Sequence, residues 1–250
     1  MNEAYVKETI TKGIATIEFF HPAHNSLPGD ILAKLANTIT DVGQKEEVKV
    51  IILKSGGDRT FCAGASFNEL INIEDETTGK KFFMGFANVI NAMRKCPKFI
   101  IGRVQGKAVG GGVGVASSVD YCMATKYASI KLSELNIGIG PFVVGPAVER
   151  KLGLTGMSQI AIDANTFYDP EWARQKGLYA QVYDSTEELD KAVQEFAEHL
   201  CTYNPEAMKE MKKVFWSGTE NWDELLEERA EISGRLVLSE FTKKKLERFK

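Results

Sequence analysis

Phe99-Ile-Ile-Gly-Arg-Val-Gln-Gly-Lys-Ala-Val-Gly-Gly-Gly-Val-Gly-Val-Ala-Ser-Ser-Val-Asp120 is the stretch on which the fold turns. Phe99–Val104 is apolar enough for a short buried strand, and the chain breaks at Gly106. The triplet Gly110-Gly111-Gly112 then leads into Val113–Val119, whose small apolar side chains suit a buried helix. A strand, a glycine turn and a helix start in that order leave backbone N–H groups aimed above the turn, with the positive end of the helix dipole behind them. Glycines let a ligand approach main chain that a Cβ would shield. Taken alone, the triplet is equally explained by a tight turn with close helix–sheet packing.

The neighbouring segments repeat the pattern. Upstream, Val48–Leu53 reads as a strand closed by Lys54-Ser-Gly-Gly-Asp58, and Arg59–Phe67 is a second glycine-bearing loop after a strand. Residues 71–79 are polar and predicted mobile, with an amphipathic helix from Lys81 to Met93 that stops before Pro97. Nearer the start, Tyr5–Ile10 and Ile14–Phe20 alternate around Thr11-Lys12-Gly13, a hairpin signature. His21–Gly29 is a loop, and Ile31, Leu32, Leu35, Ala36, Ile39 and Val42 recur at helical spacing. Downstream, Asp120–Thr125 and Ser129–Leu132 are short strands and Asn136–Pro146 is a shaped loop. Beyond Ala147 the chain is mostly helical. Strand–loop–helix repeated in this way predicts an α/β protein. No sequence repeat is visible.

Composition narrows the function. At 250 residues, 44% hydrophobic and 26% charged, with a net charge of −3, the chain has no nucleic-acid footprint. Lys243-Lys-Lys245 with Arg248 and Lys250 reads as a solvated helix face. No apolar run approaches the roughly 18 residues of a membrane span. The N-terminus does not read as a signal peptide, and Cys62, Cys96, Cys122 and Cys201 form no C-x-x-C. Free thiols in a reducing compartment, the cytoplasm, are expected. His21, His24 and His199 have no metal-ligand spacing, so no metal is expected.

Four motifs in order, Asp58-Arg-Thr-Phe-Cys-Ala-Gly-Ala65, Gly106-Lys-Ala-Val-Gly-Gly-Gly112, Asp120 and Ser133-Glu-Leu-Asn-Ile-Gly138, resemble the crotonase family, the enoyl-CoA hydratases and isomerases. The resemblance runs from the His21–Leu27 loop to the charged tail. It implies a crotonase-type spiral of ββα units over residues 1–195 that binds an acyl-CoA thioester, and a C-terminal helical region, 196–250, that builds a homotrimer or a dimer of trimers. It implies no bound cofactor, coenzyme A entering as part of the substrate. The thioester carbonyl would sit between the amides of Ala65 and Gly111, an oxyanion hole for the developing enolate. Ala63, Phe67, Gly110 and Phe142 are the accompanying substrate contacts. Coenzyme A contacts are expected from Ser66–Leu70, although the family usually has an aspartate where this chain has Ser66.

The carboxylates separate the activities within that family. Hydratases carry two glutamates that hold a water, at the positions matching Gly114 and Glu134, followed by a proline–glycine pair; here the pair is Pro141-Phe142. Water addition needs both an activated water and a proton donor. A lone carboxylate suits the 3-to-2 enoyl-CoA isomerases, which are similar to this pattern, with Glu134 as base and acid. Burial of Glu134 among Leu132, Leu135, Phe142 and Val143 is expected to raise its pKa toward neutrality. Alternatives are a hydratase with Glu69 or Glu74 as second acid, a decarboxylase or thioesterase, and a catalytically silent acyl-CoA-binding paralogue. Arg59 and Lys54 are candidates for the CoA phosphates. Phe82, Phe83 and Phe86 are expected in the core or the acyl-pocket wall.

Overall fold

The computed structural model describes residues 3–247; Arg248 and Lys250 of the predicted basic face lie outside them. The chain begins with the antiparallel pair β1 (Tyr5–Thr11) and β2 (Ile14–Phe20), turned by Lys12 and Gly13, whose φ values of 51° and 83° are those a tight hairpin requires. There follow β3 (Ser26–Leu27), α1 (Gly29–Gln44), β4 (Val50–Ser55), β5 (Thr60–Cys62), β6 (Gly64–Ala65), α2 (Phe67–Leu70) and α3 (Glu76–Lys95). Next come β7 (Phe99–Val104), β8 (Lys107–Val109), α4 (Gly111–Ser118), β9 (Tyr121–Thr125), β10 (Ile130–Lys131) and a 3-10 turn, Glu134–Ile137. The remainder is α5 (Gly145–Ile162), α6 (Pro170–Gln175), β11 (Gln181–Tyr183), α7 (Thr186–Leu200), α8 (Pro205–Phe215), α9 (Trp222–Val237) and α10 (Glu240–Leu246).

A six-stranded sheet runs β1-β2-β4-β7-β9-β11, parallel apart from the first pair, and beside it lie a parallel β10-β8-β5 sheet and the parallel pair β3-β6. Each turn of the chain therefore places one strand in the large sheet, one in a small layer, and then a helix: β2-β3-α1, β4-β5-α3, β7-β8-α4, and β9-β10 leading to α5. This is the expected α/β spiral, a repeat of architecture without a repeat of sequence.

Both faces of the central strands β4 and β7 are covered, which is why these two are almost continuously apolar. In β4, Ile51 and Leu53 enter the main core with α1, α3 and α4, while Val50 and Ile52 face Leu189, Val193, Ala197 and Leu200 of α7. Arg103 alternates with Ile100 and Val104 along β7 and so points at α7, where its Nε and Nη2 donate to Asp190 at 2.6 and 3.0 Å. Residues 195 and 196 both lie inside α7.

The structure adds elements and moves one boundary. Helix α3 starts at Glu76 rather than Lys81, because Asp75 accepts from the Thr78 amide and Thr78 Oγ1 accepts from the Asp75 amide, a capping box within the segment predicted mobile. β3, β5, β6, β8 and β11, at two or three residues each, are too short to show a two-residue period. The last helices fold back on the same chain. α9 crosses α3 at Gly79 and Gly234, where a Cβ on Gly79 would stand 2.9 Å from the Gly234 Cα. α10 rests on the 3-10 turn, and a Cβ at Gly138 (φ 89°) would stand 2.5 Å from Thr242 Oγ1.

Candidate active site

The two glycine loops meet. Gly64, at φ 97°, sits so close to the second loop that a Cβ there would lie 3.2 Å from Val109 O and 3.7 Å from Gly111 N. The neighbouring Ser66 donates its N–H to Leu27 O at 2.9 Å, which ties the end of β6 and its Ala65 to β3. Gly110 (φ 53°) caps α4; Val113 N and Gly114 N donate to Gly110 O, so the Gly111 amide precedes the first intrahelical bond and carries the positive helix end. A Cβ on Gly111 would come within 2.3 Å of Phe86 Cζ, so any larger residue there must displace that ring.

Beside these amides is a cavity of about 160 Å³, lined by Ala63, Gly64 and Ala65, by Gly110 and Gly111, and by Glu134. Phe67, Phe82, Phe83, Phe86, Ile137, Ile139, Phe142, Val143 and Val144 make most of the remaining wall apolar. Glu134 is the one ionisable side chain among the described residues that line it. Gly138 N and Ile139 N donate to Glu134 O, which fixes the turn that presents the side chain. Its carboxylate lies against the second loop, and a Cβ on Gly110 would be 3.0 Å from Oε1. Oε2 is buried with no hydrogen-bond partner among the described residues. Burial pushes the Glu134 pKa up to about 7, opposed to a smaller degree by the backbone amides of Glu134 and Ser133. Leu135, expected in that apolar surround, is instead 51% exposed, because the 3-10 turn points successive side chains in different directions.

The structure brings together Glu134, Ala65, Gly111, Ala63, Phe67, Gly110 and Phe142 on one cavity. Ser66 does not line it; its Oγ accepts from Glu69 N and caps α2. Glu69 accepts from the Gly29 amide at 3.0 and 3.2 Å and lines a different groove, and Glu74 lines a third. Neither faces Glu134. Lys54 pairs with Glu18 at 3.4 Å, and Arg59 stands with His24 and Lys107 around a surface cleft. Burial pushes the Cys62 thiol up to about 12, which leaves it inert.

Two positioning residues escaped the sequence. Asn25 (φ 56°) donates from Nδ2 to Gly56 O and Thr60 O, both at 2.9 Å, and its own carbonyl accepts from Ala63 N, so it sets the first loop. Ser26 Oγ donates to Ala65 O at 2.9 Å. The signal available was Asn25 between turn residues, since asparagine tolerates the left-handed region. Ser233 of α9 also lines the cavity, a contact between distant segments that no local pattern carries.

Comparison with known proteins identifies the family and the fold. A profile of the family described as enoyl-CoA hydratase/isomerase matches residues 9–249. The chain is 28% identical over 209 residues to the peroxisomal Delta(3,5)-Delta(2,4)-dienoyl-CoA isomerase of Arabidopsis thaliana, covering 77% of this chain and 73% of that protein. It is 28% identical over 207 residues to a short-chain-enoyl-CoA hydratase of Clostridium acetobutylicum, covering 82% and 78%. The crystal structure of an enoyl-CoA hydratase from Bacillus halodurans superposes with a TM-score of 0.90 at 20% identity, over 98% of this chain and 99% of that one, a likeness of fold. With two touching glycine loops, a carboxylate over them and a family profile spanning nearly the whole sequence, the chain belongs to the enoyl-CoA hydratase/isomerase family.

Proposed function

We propose that this protein moves the double bond of a 3-enoyl-CoA to the 2-position. The Glu134 carboxylate takes a proton from the α-carbon, and the electron pair of that bond delocalises into a dienolate. The negative oxygen is held by the amides of Ala65 and Gly111. Protonated Glu134 then gives the same proton to the γ-carbon, which leaves the double bond conjugated with the thioester. A pKa of about 7 suits a group that must both accept and return a proton. Ala63, Phe67, Gly110 and Phe142 contact the thioester and acyl group, Ser66–Leu70 contributes main chain to coenzyme A, and Arg59 with Lys107 takes a phosphate.

The observation that carries this reading is the lone carboxylate. A second one, placed at Gly114 as in the hydratase pattern, would need a Cβ 2.5 Å from Val144 Cγ1. Glu69 and Glu74 face elsewhere. The test is incubation with a 3-enoyl-CoA while watching the absorbance of the conjugated thioester. A rise supports the proposal, and silence with retained acyl-CoA binding means a binding paralogue. Loss of absorbance from a 2-enoyl-CoA means a hydratase.

The proposal extends to assembly as a homotrimer or dimer of trimers, supported by exposed apolar residues such as Leu154, Ile162 and Phe241, and to the cytoplasm, supported by four free cysteines. Light scattering of the purified protein checks the assembly.

A further inference from the structure

Phe82 lines two spaces at once. One is the cavity of about 160 Å³ that holds Glu134; the other is a groove of about 440 Å³ beyond it, bordered by Glu69, Asn72, Thr78 and Lys81. The ring stands edge-to-face on Phe83, with centroids 5.0 Å apart and planes at 89°, so its position is set by packing. A cavity of roughly 150 Å³ walled by apolar side chains holds one benzene, a body of six carbons. Among the described residues that wall it there is no cation, and the one charge is the Glu134 carboxylate. An acyl group ending in its own carboxylate would therefore be desolvated next to a like charge with no partner.

From these three observations we propose that Phe82 is the end-stop of the acyl cavity and restricts the protein to uncharged acyl groups of about four to six carbons. This rests on the acyl-CoA reading above but not on the isomerisation step. Chain length is set by one aromatic ring between two spaces rather than by the depth of the fold. Removing the ring joins the cavity to the groove and lets a longer chain pass out beside Lys81 and Thr78.

Calorimetric titration of the whole protein with saturated acyl-CoAs tests this without chemistry. For the wild type, affinity should rise about fourfold per methylene from butyryl- to hexanoyl-CoA, as buried methylenes do. It should then fall at least tenfold by decanoyl-CoA. Glutaryl-CoA should bind at least tenfold more weakly than hexanoyl-CoA. Phe82→Ala should raise octanoyl- and decanoyl-CoA affinity at least tenfold. Phe82→Leu, which keeps most of the apolar volume and guards against a folding failure, should raise octanoyl-CoA affinity at least threefold. Decanoyl-CoA binding the wild type as tightly as hexanoyl-CoA overturns the proposal. So does an unchanged length profile in both variants, or equal affinity for glutaryl-CoA. If the length profile holds but 3-enoyl-CoA is not isomerised, the end-stop stands and the assigned reaction falls. If no acyl-CoA binds, both fall.

Discussion

A Cβ on Gly114 would lie 2.5 Å from Cγ1 and 2.8 Å from Cβ of Val144, so the first turn of α4 and the start of α5 are locked together at a position that admits only hydrogen. Gly114→Ala gains about 1 kcal/mol of helix propensity but must displace buried Val144, and overpacking of this kind costs about 1–3 kcal/mol. We predict net destabilisation, relieved in large part by adding Val144→Ala, as read from urea unfolding of the two single variants and the double one. Gly114→Glu should lower stability further and give no hydration of a 2-enoyl-CoA. Hydratase activity in that variant would show that α5 yields.

Glu134→Gln keeps the shape of the side chain and removes its proton chemistry. Turnover of a 3-enoyl-CoA should fall by about 10²–10⁴-fold, the usual contribution of a positioned acid–base group. Affinity for hexanoyl-CoA should stay within about threefold, since the amides and apolar walls are untouched. Turnover at the wild-type rate would remove Glu134 from the mechanism.

The pH dependence follows from the Glu134 pKa near 7, raised by burial. The base form is the carboxylate, so kcat/KM should rise with pH and reach half its plateau at about pH 7. Stability runs the opposite way. Between the unfolded value of 4.5 and the folded value of about 7, the native state holds a proton that the unfolded state has lost, so stability falls as pH rises through that window. The loss is at most about 3 kcal/mol. Glu134→Gln should remove it, leaving the variant more stable than wild type at pH 8 and equal to it below pH 4.5, as thermal unfolding at the two pH values will read.

Asp120 stabilises the fold where β7 and β9 begin. Its Oδ2 accepts from Ile100 N and Lys212 Nζ at 2.8 Å, and its Oδ1 accepts from Trp216 Nε1 at 2.9 Å. Lys212 is buried, its other partner being Lys98 O. Asp120→Asn therefore strands a buried ammonium and should cost about 3–5 kcal/mol. The pair Asp120→Asn with Lys212→Met should cost less than Asp120→Asn alone, and per-molecule activity of the folded fraction should be unchanged. Denaturant titration followed by tryptophan fluorescence checks the first, and turnover scaled to the folded fraction checks the second.

The legible parts of this protein were those encoded locally. The apolar runs of β4 and β7 and the stripe of α1 announce themselves because burial on both faces or one face dictates composition. Glu134 is legible only through the resemblance to the crotonase pattern, not through any local property. A charged residue after a short strand otherwise reads as a cap. Val144 over Gly114, Ser233 at the cavity wall and Thr242 under Gly138 were invisible, because each joins segments brought together only by tertiary packing. The capping box of Asp75 and Thr78 was legible in principle, and polarity of the surrounding segment masked it.

The crossing of α3 and α9 at Gly79 and Gly234 has a consequence for synthesis. The ribosome completes Phe82, Phe83, Phe86 and Glu134 well before it delivers Ser233, which closes the cavity wall, and Thr242, which braces the Gly138 turn. Until those residues emerge from the exit tunnel, the three phenylalanines have no roof and the nascent chain presents them to water. Acyl-binding competence thus waits on α9 and α10, elements made long after the two glycine loops and Glu134.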